Sequence, residues 1–334
     1  MSFKDIIGQE KAVNILLKSL KEDSISPSYI FIGSEGVGKE FTAIEFAKTI
    51  NCLNLNNNLE SCNTCHTCNK INKQCCPDLK IVKPIKGSIR IEQIRELRRE
   101  IDLKPFENRK KIYIIENAEK MTIEASNCLL KTIEEPPDYA ILILICMNID
   151  SILPTIISRC QLIKFRLIDS LKIRKILLKK IDLEESKAEL VSRLAQGSIG
   201  RAFKLISDKE YFNRREKLLD YLTKILPGKY DSNFFINIEK ILTDISEMDE
   251  ILEIILLWYR DILVVKKLGD QKYIVNSDKV EALNEKSRVY SQKILIDILD
   301  YIEQIQEFIK KNINRRLVSE RLYLKMAGVE YCLR

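Results

Sequence analysis

The chain has 334 residues, of which 55 are Lys or Arg and 48 are Asp or Glu, so its net charge is +7 with its single histidine neutral. This length allows two or three domains with cores of their own and requires no disulfide. The small basic excess is compatible with a polyanionic partner but too small to demonstrate one. No apolar run reaches the ~18 residues of a membrane span, and residues 1–5 lead into no signal-peptide core, so we expect a soluble, cytoplasmic protein.

The first predicted elements are a helix, a strand and a second helix. Aliphatic residues recur at helical spacing over 13–20, shortly after Gly8, and on their own indicate an ordinary packing helix. The apolar run at 29–32 predicts a buried strand, and the periodic apolar residues from Phe41 to Ile50 predict a helix. A glycine-rich loop therefore lies between a strand and a helix.

This loop reads G-S-E-G-V-G-K over residues 33–39 and matches the pattern G-x-x-x-x-G-K-[ST] except at its last position, which is Glu40. Glycines let backbone N–H groups surround phosphate oxygens, while the helix end and Lys39 add positive charge. Glu40 replaces the hydroxyl that holds Mg²⁺ in hydrolysing loops, although it also suits the first turn of a helix. A P-loop fold is predicted, and nucleotide binding stays open. The candidate nucleotide-binding residues are Gly33, Gly36, Gly38, Lys39 and Glu40.

Six of the ten cysteines fall in a short insertion at 52–76. Two C-x-x-C steps share one cysteine there, and such turns deliver two thiolates to one ion. Four thiolates close a tetrahedral shell, so we predict a structural zinc site rather than free thiols. His66, expected on the exposed side of this knuckle, Cys75 and Cys76 remain alternative ligands. The four predicted ligands are Cys52, Cys62, Cys65 and Cys68.

A strand is predicted at 79–82, followed by a helix with isoleucines and a leucine at helical spacing between Ile89 and Ile101. The other face of this helix is basic. Such a face is usually only solvated, but arginine forks also suit phosphate oxygens and could follow a DNA backbone without reading sequence. The arginines of this face are Arg90, Arg95, Arg98 and Arg99, of which the last three are the candidate DNA-phosphate contacts.

The apolar strand predicted at 110–115 ends in Glu116-Asn117, where a hydrolysing P-loop protein carries two acids. The first acid positions Mg²⁺ and the second acts on the attacking water, for which the Asn117 amide has no basicity. Glu119 could replace it, although we expect Glu119 at the surface. Glu40 and Asn117 together argue against ATP hydrolysis by this chain.

A helix stopped by Pro136-Pro137 precedes the apolar strand at 141–145, after which Asn148 is a candidate for sensing a γ-phosphate. Strands that alternate with helices in this way predict a parallel sheet covered by helices on both faces. A short helix then leads into Ser158-Arg159-Cys160. By composition alone, a place in a structural ion pair suits Arg159 as well as any functional role.

Over about the first 205 residues, the P-loop, the cysteine knuckle, the double-proline helix end and Ser158-Arg159-Cys160 resemble, in this order, the bacterial clamp-loader subunits among AAA+ ATPases. The resemblance implies an α/β P-loop domain at 1–168 with the zinc-binding insertion at 52–76. A small helical lid at 169–207 follows, and then an all-α collar domain at 208–334, where amphipathic stretches at 212–226, 234–245, 251–268 and 290–324 indicate helices.

In that family the arginine at the position of Arg159 is a finger that reaches the γ-phosphate in a neighbouring subunit, and Arg201 corresponds to a lid residue that contacts phosphate. The resemblance implies gamma/tau and delta subunits, primed DNA and the sliding clamp as partners in DNA replication by the DNA polymerase III holoenzyme. Because the hydrolytic residues are replaced while Arg159 is present, it favours a non-hydrolysing subunit with doubtful ATP and Mg²⁺ binding. The alternatives are a gamma/tau-type motor subunit and a zinc-ribbon nucleic-acid protein with a vestigial P-loop.

Overall fold

The computed structural model of the chain describes residues 2–56, 59–228, 248–309 and 315–328. The chain divides into two compact units, Met1–Lys180 with Ala195–Phe203 and Ile181–Leu194 with Lys204–Arg334. The helix predicted at 234–245 lies outside the described residues, as do residues 310–314 of the stretch predicted at 290–324. The predicted division at 1–168, 169–207 and 208–334 stays a prediction.

The first unit is built on a five-stranded sheet in the order β2-β3-β4-β1-β5, and every neighbouring pair is parallel. The prediction of a parallel sheet is therefore confirmed. The fifth strand was not predicted, because its four residues follow a helical turn and include only two apolar side chains. The strands are β1 Ser28–Ile32, β2 Leu79–Val82, β3 Lys111–Ile115, β4 Ala140–Cys146 and β5 Gln161–Lys164.

Helices cover both faces of this sheet. Successive residues of a strand point to opposite faces, so each strand contributes to two cores. Phe31 belongs to a core shared with the first two helices, whereas Ile30 belongs to a second core shared with the fourth, fifth and sixth. The strands are accordingly apolar on both faces, as expected for a buried parallel sheet. The helices of this unit are α1 Glu10–Lys21, α2 Lys39–Ile50, α3 His66–Asn72, α4 Ile91–Ile101, α5 Ile123–Glu134, α6 Pro154–Ile157 and α7 Ser170–Lys180.

The parallel arrangement brings the carboxyl ends of the strands to one edge of the sheet, which is where α/β folds bind ligands. The glycine-rich loop follows β1, Lys83 follows β2, Glu116 follows β3 and Met147 follows β4. The candidate phosphate-binding residues therefore meet at this edge.

The described part of the second unit is helical, and Trp258 is fully buried within it. A helix at 280–289, which precedes the stretch predicted at 290–324, was not predicted. None of the described helices is long and apolar enough to cross a membrane. Helix α9, Ile199–Ser207, begins in the first unit and ends in the second. The helices of the second unit are α8 Glu185–Leu194, α10 Tyr211–Leu222, α11 Met248–Leu268, α12 Val280–Val289, α13 Gln292–Ile309 and α14 Arg315–Met326.

Candidate phosphate-binding site and cysteine cluster

The glycine-rich loop adopts a conformation that only glycine takes without strain. Gly36 has φ +71°, and Gly38, the residue before α2, is left-handed with φ +101°. Lys39, the first residue of α2, is buried, and its ammonium donates hydrogen bonds to the carbonyl oxygens of Gly33 and Ser34, the latter at 2.7 Å. Burial lowers the pKa of Lys39 below its usual value. The Lys39 ammonium thus lies against the backbone of the glycine-rich loop, at the start of α2.

The first turn of α9 packs directly on this loop. The N–H of Gly200 donates to the carbonyl oxygen of Gly36 at 2.8 Å, and the N–H of Arg201 donates to Ser198 Oγ at 3.1 Å. A Cβ atom on Gly36 would lie 2.3 Å from Ser198 Oγ, and one on Gly200 would lie 2.9 Å from the Cα of Gly36. Both glycines are therefore required for this close approach.

A cavity of about 550 Å³ lies beside the loop within the first unit. Its apolar wall includes Ile7, Ile168 and Phe203. Within the described part of the chain, Met147 rather than Asn148 lines it, and Asn148 is exposed with its Oδ1 accepting from the N–H of Asp150 at 3.0 Å. Arg201 is not among the lining residues either. The predicted residues that do line the cavity are Gly36, Gly38, Lys39, Glu40, Glu116 and Asn117.

A lysine that the sequence did not single out joins the two acids of this site. Lys83 Nζ lies 3.0 Å from Glu116 Oε1 and 3.7 Å from Glu40 Oε1. Burial chiefly raises the pKa of Glu116, the Glu40 carboxylate raises it further, and the Lys83 ammonium opposes both. The ion pair with Glu116 in turn raises the pKa of Lys83. The signal for Lys83 is positional: Lys83 directly follows β2, Glu116 directly follows β3, and β2 pairs with β3.

The expectation that Glu119 lies at the surface is wrong. Both of its carboxylate oxygens are buried, and neither has a hydrogen-bond partner among the described residues. Glu119 follows the left-handed Asn117 in a short 3₁₀ turn, Ala118–Lys120, which turns its side chain inward. Its negative charge raises the pKa of Lys39, against the larger effect of burial.

The four predicted ligand cysteines form one cluster. The Sγ atoms of Cys52, Cys62, Cys65 and Cys68 all lie within 4.8 Å of one another. The Cys62–Cys68 and Cys52–Cys68 sulfur distances are 3.9 and 3.7 Å, and a tetrahedral ion with Zn–S bonds of about 2.3 Å needs about 3.8 Å. This cluster could hold a metal ion.

The sulfurs also have the hydrogen bonding of a metal knuckle. Backbone N–H groups of Cys65 and Cys68 donate to the sulfurs of Cys62 and Cys65 at 3.2 and 3.4 Å. Burial acts to raise the pKa of the Cys62 thiol, but the hydrogen bonds that it accepts from Thr64 and Cys65 together lower it to about 5. The thiolate that a metal requires is therefore favoured at Cys62.

The alternative ligands lie outside this cluster. His66 is exposed, with its Nδ1 3.9 Å from Glu107 Oε2. Cys75 is exposed, and its Sγ lies 3.6 Å from the carbonyl oxygen of Lys70. The sulfur of the buried Cys76 accepts a hydrogen bond from Asn108 Nδ2 at 3.3 Å.

Arg159 lies on the surface just after α6, with 42% of its side chain exposed. Its Nη1 donates to the carbonyl oxygen of Thr155 at 3.0 Å and to Ser158 Oγ at 3.3 Å. Its Nη2 lies 3.0 Å from Glu134 Oε1, in an ion pair whose carboxylate side chain is 45% exposed. Such surface pairs stabilise folds by only about 0–1 kcal/mol, so the guanidinium can exchange partners.

Comparisons with known proteins match nearly the whole chain. A sequence model of the DNA polymerase III delta subunit matches residues 8–169, and a model of the C-terminal part of that delta subunit matches residues 209–327. Subunit delta′ of DNA polymerase III from Bacillus subtilis is 28% identical over 320 residues, which cover 95% of this chain and 96% of that protein. The chain belongs to the DNA polymerase III clamp-loader family.

Tau and gamma/tau subunits of DNA polymerase III are also similar. Subunit tau of DNA polymerase III from Bacillus subtilis is 28% identical over 99% of this chain, and subunit gamma/tau from Mycoplasma genitalium is 34% identical over 65% of it. The chain spans about three fifths of the former and about a third of the latter, 61% and 37%. Homology to both kinds of clamp-loader subunit is therefore clear, and the match to delta′ from Bacillus subtilis covers nearly the whole of that protein.

The basic face of α4 in this clamp-loader chain is mixed in charge. Arg90, Arg95 and Arg99 are exposed, whereas Arg98 is half-buried and its Nη1 lies 3.7 Å from Cys128 Sγ. Acidic residues of the same helix pair with Lys80, whose Nζ lies 2.7 Å from the nearest carboxylate oxygen. Three arginines are therefore accessible to a phosphate backbone.

Proposed function

We propose that this chain acts as a delta prime-type subunit of a DNA polymerase III clamp loader: it hydrolyses little or no ATP and supplies Arg159 to a neighbouring motor subunit. The observation that carries the proposal is an asymmetry within one domain. Glu40, Glu116 and Lys83 form an ion-paired cluster where hydrolysis needs a hydroxyl, two acids and Mg²⁺, while Arg159 is exposed on the surface.

The chemistry of an arginine finger suits the surroundings of Arg159. A guanidinium placed near a transferring phosphoryl group stabilises the negative charge that develops in the transition state, with several donors in a fixed plane. Arg159 needs only to leave an exposed ion pair with Glu134 to do so in another subunit. The chain's own cavity would then lack the residues that hydrolysis needs, whereas Arg159 would act at the cavity of the neighbouring subunit.

The cysteine cluster supports a structural zinc ion held by Cys52, Cys62, Cys65 and Cys68, since a closed shell of four thiolates leaves no position for substrate or water. When bound, this ion would fix the knuckle. The neighbouring network then connects the knuckle to the sheet: Thr67 Oγ1 donates to Asn108 Oδ1 at 3.0 Å.

The remaining partners follow from the family. We propose gamma/tau and delta subunits as its neighbours in a cytoplasmic complex that loads the sliding clamp on primed DNA. Arg95 and Arg99, with the half-buried Arg98 between them, would lie along the DNA backbone within that complex, because sequence-independent binding needs only cations facing phosphates.

The deciding experiment is the Arg159→Ala variant in a complex reconstituted with gamma/tau, delta, clamp and primed DNA. We expect the isolated variant to melt as the unaltered chain does, whereas the DNA-stimulated ATPase rate of the complex falls at least about tenfold, since a finger contributes about 10³–10⁵ at its own site. Arg109→Ala, which removes an exposed arginine of the same unit, is the matched control. An unchanged rate with Arg159→Ala would remove the finger role.

The second candidate function is that of a gamma/tau-type motor subunit. The 34% identity to a gamma/tau subunit over 65% of the chain favours it. It predicts Mg²⁺-dependent ATP turnover by the isolated chain, whereas the delta prime-type reading predicts none above background. One turnover assay on the purified protein separates the two.

A further inference from the structure

Lys83 does not itself line the P-loop cavity, but its ammonium contacts Glu116 and Glu40, two acids that do. It directly follows β2, and the N–H of Glu116 donates to the carbonyl oxygen of Val82 at 2.9 Å, so sheet pairing sets Lys83 beside Glu116. Glu40 approaches from the first turn of α2. The ammonium thus lies between two carboxylates that come from separate parts of the site, at 3.0 and 3.7 Å.

The backbone of Lys83 is held in place from both sides. Pro84 follows it and keeps Lys83 extended, because a residue before proline avoids the helical region. The carbonyl oxygen of Lys83 accepts a hydrogen bond from Gln93 Nε2 at 2.9 Å. The backbone position of Lys83 is therefore set by the fold, and its side chain, 59% exposed, brings the ammonium to the two carboxylates.

Charge balance explains why a cation is needed there. Four acidic residues and three lysines line the cavity, and a phosphate group would add at least one more negative charge. In a hydrolysing P-loop protein a divalent ion bridges the phosphates and an acid, held by the hydroxyl after the loop lysine. Glu40 in place of that hydroxyl would attract such an ion strongly, unless another cation already neutralises Glu40 and Glu116.

We propose that Lys83 is a built-in cation that takes the place of the divalent metal ion, so that this cavity holds a nucleoside diphosphate or triphosphate without Mg²⁺. Gly36, Gly38 and Lys39 would face the phosphates, and the apolar wall of Ile7, Ile168 and Phe203 would face the base. Lys83 would touch neither and would act by neutralising Glu40 and Glu116. This deepens the proposed non-hydrolysing role and rests on it, because a site without its metal ion cannot assemble the hydrolytic centre.

The test is a titration of the isolated, zinc-loaded chain with a fluorescent ADP analogue, with Mg²⁺ and in resin-treated Mg²⁺-free buffer. A soluble chelator is avoided because it would also attack the cysteine cluster. We expect the dissociation constant of the unaltered chain to differ by less than about twofold between the two buffers, since the positive charge is already in place. For Lys83→Met we expect binding at least about tenfold weaker without Mg²⁺, and recovery when Mg²⁺ is added, because the bare carboxylate pair can then hold the ion.

Two further variants separate a specific effect from a general one. Lys83→Arg keeps the charge and should bind as the unaltered chain does in both buffers. Lys86→Met removes a lysine three residues away that is exposed and has no ion pair among the described residues, and it should also change nothing. Thermal melts by circular dichroism identify any variant that is misfolded; if Lys83→Met is, Lys83→Gln removes the charge with a polar side chain and is titrated in its place.

Each outcome of the titration either supports or overturns the proposal. Metal-independent binding that becomes Mg²⁺-dependent in Lys83→Met supports the proposal. An unaltered chain that requires Mg²⁺, one that binds no nucleotide in either buffer, or a Lys83→Met chain that behaves as the unaltered one overturns it. Because this titration uses the isolated chain and the Arg159→Ala assay uses the complex, failure of this proposal is distinguishable from failure of the finger role.

Discussion

The ion pair of Glu45 and Lys48 allows a quantitative test of how the P-loop helix is held. Both residues lie on α2, their side chains are 3% and 0% exposed, and Lys48 Nζ lies 2.6 Å from Glu45 Oε1. Lys48 also donates to Asn72 Oδ1 at 3.2 Å, which ties α2 to the knuckle helix α3. Lys48→Met would leave a buried carboxylate without its counter-charge, so we expect a loss of about 3–5 kcal/mol in the free energy of unfolding near neutral pH.

The pH dependence of this loss distinguishes a charge effect from a packing effect. Burial chiefly raises the pKa of Glu45, and Lys48 opposes that rise, so removing Lys48 should raise the pKa further. A carboxyl group with a raised pKa in the folded state stabilises the fold when protonated, and this contribution is lost as the pH rises through that pKa. The cost of Lys48→Met should therefore be smaller at about pH 5 than at about pH 7.

Urea denaturation of the zinc-loaded chain at both pH values measures this cost. Lys18→Met is the matched control, because Lys18 and Glu22 form a helix pair that is 72% and 55% exposed and should contribute less than about 0.5 kcal/mol. The double variant Glu45→Leu with Lys48→Met removes both charges and should recover most of the loss. A cost below about 1 kcal/mol, or one that is the same at both pH values, would refute the reasoning.

Two further predictions concern the loop and the knuckle. Gly36→Ala should destabilise the first unit by about 1–3 kcal/mol in thermal or urea unfolding, because its φ is positive and its Cβ would meet Ser198. Gly87→Ala has a similar φ but open space around it, so an equal loss there would show that packing on α9 contributes nothing. Cys65→Ser should remove the bound metal in native mass spectrometry and expose residues 52–76 to proteolysis, whereas Cys75→Ser should keep one ion; metal retained by Cys65→Ser would contradict the ligand set.

The sequence was sufficient for features encoded by local pattern. A buried parallel strand is apolar on both faces, so β1, β3 and β4 appear in the sequence as continuous apolar runs. A phosphate-binding loop requires left-handed backbone, which the glycines before Lys39 allow. Strand β5 was not predicted, because its own composition gives no clear strand signal and it is defined by its pairing with β1. Short strands of this kind are specified by their neighbours.

Features that depend on strand order could not be read along the chain. Lys83 and Glu116 are 33 positions apart, and only the pairing of β2 with β3 sets them side by side. The inward turn of Glu119 depends in the same way on the left-handed backbone of Asn117, which a sequence pattern does not reveal. The roles proposed for Asn148, Arg201 and the α4 arginines stay predictions.

The attachment of Lys83 to the backbone has a consequence for conditions in the cell. A metal ion binds from solution, so its occupancy of a site depends on the concentrations of free magnesium and of competing chelators. The Lys83 ammonium is covalently part of the chain, so one such group is present at the site whatever the ionic composition of the solution. In the proposed clamp-loader complex, a subunit that carries its own cation would keep its site in the same charge state while the neighbouring sites gain and lose metal ions with each turnover.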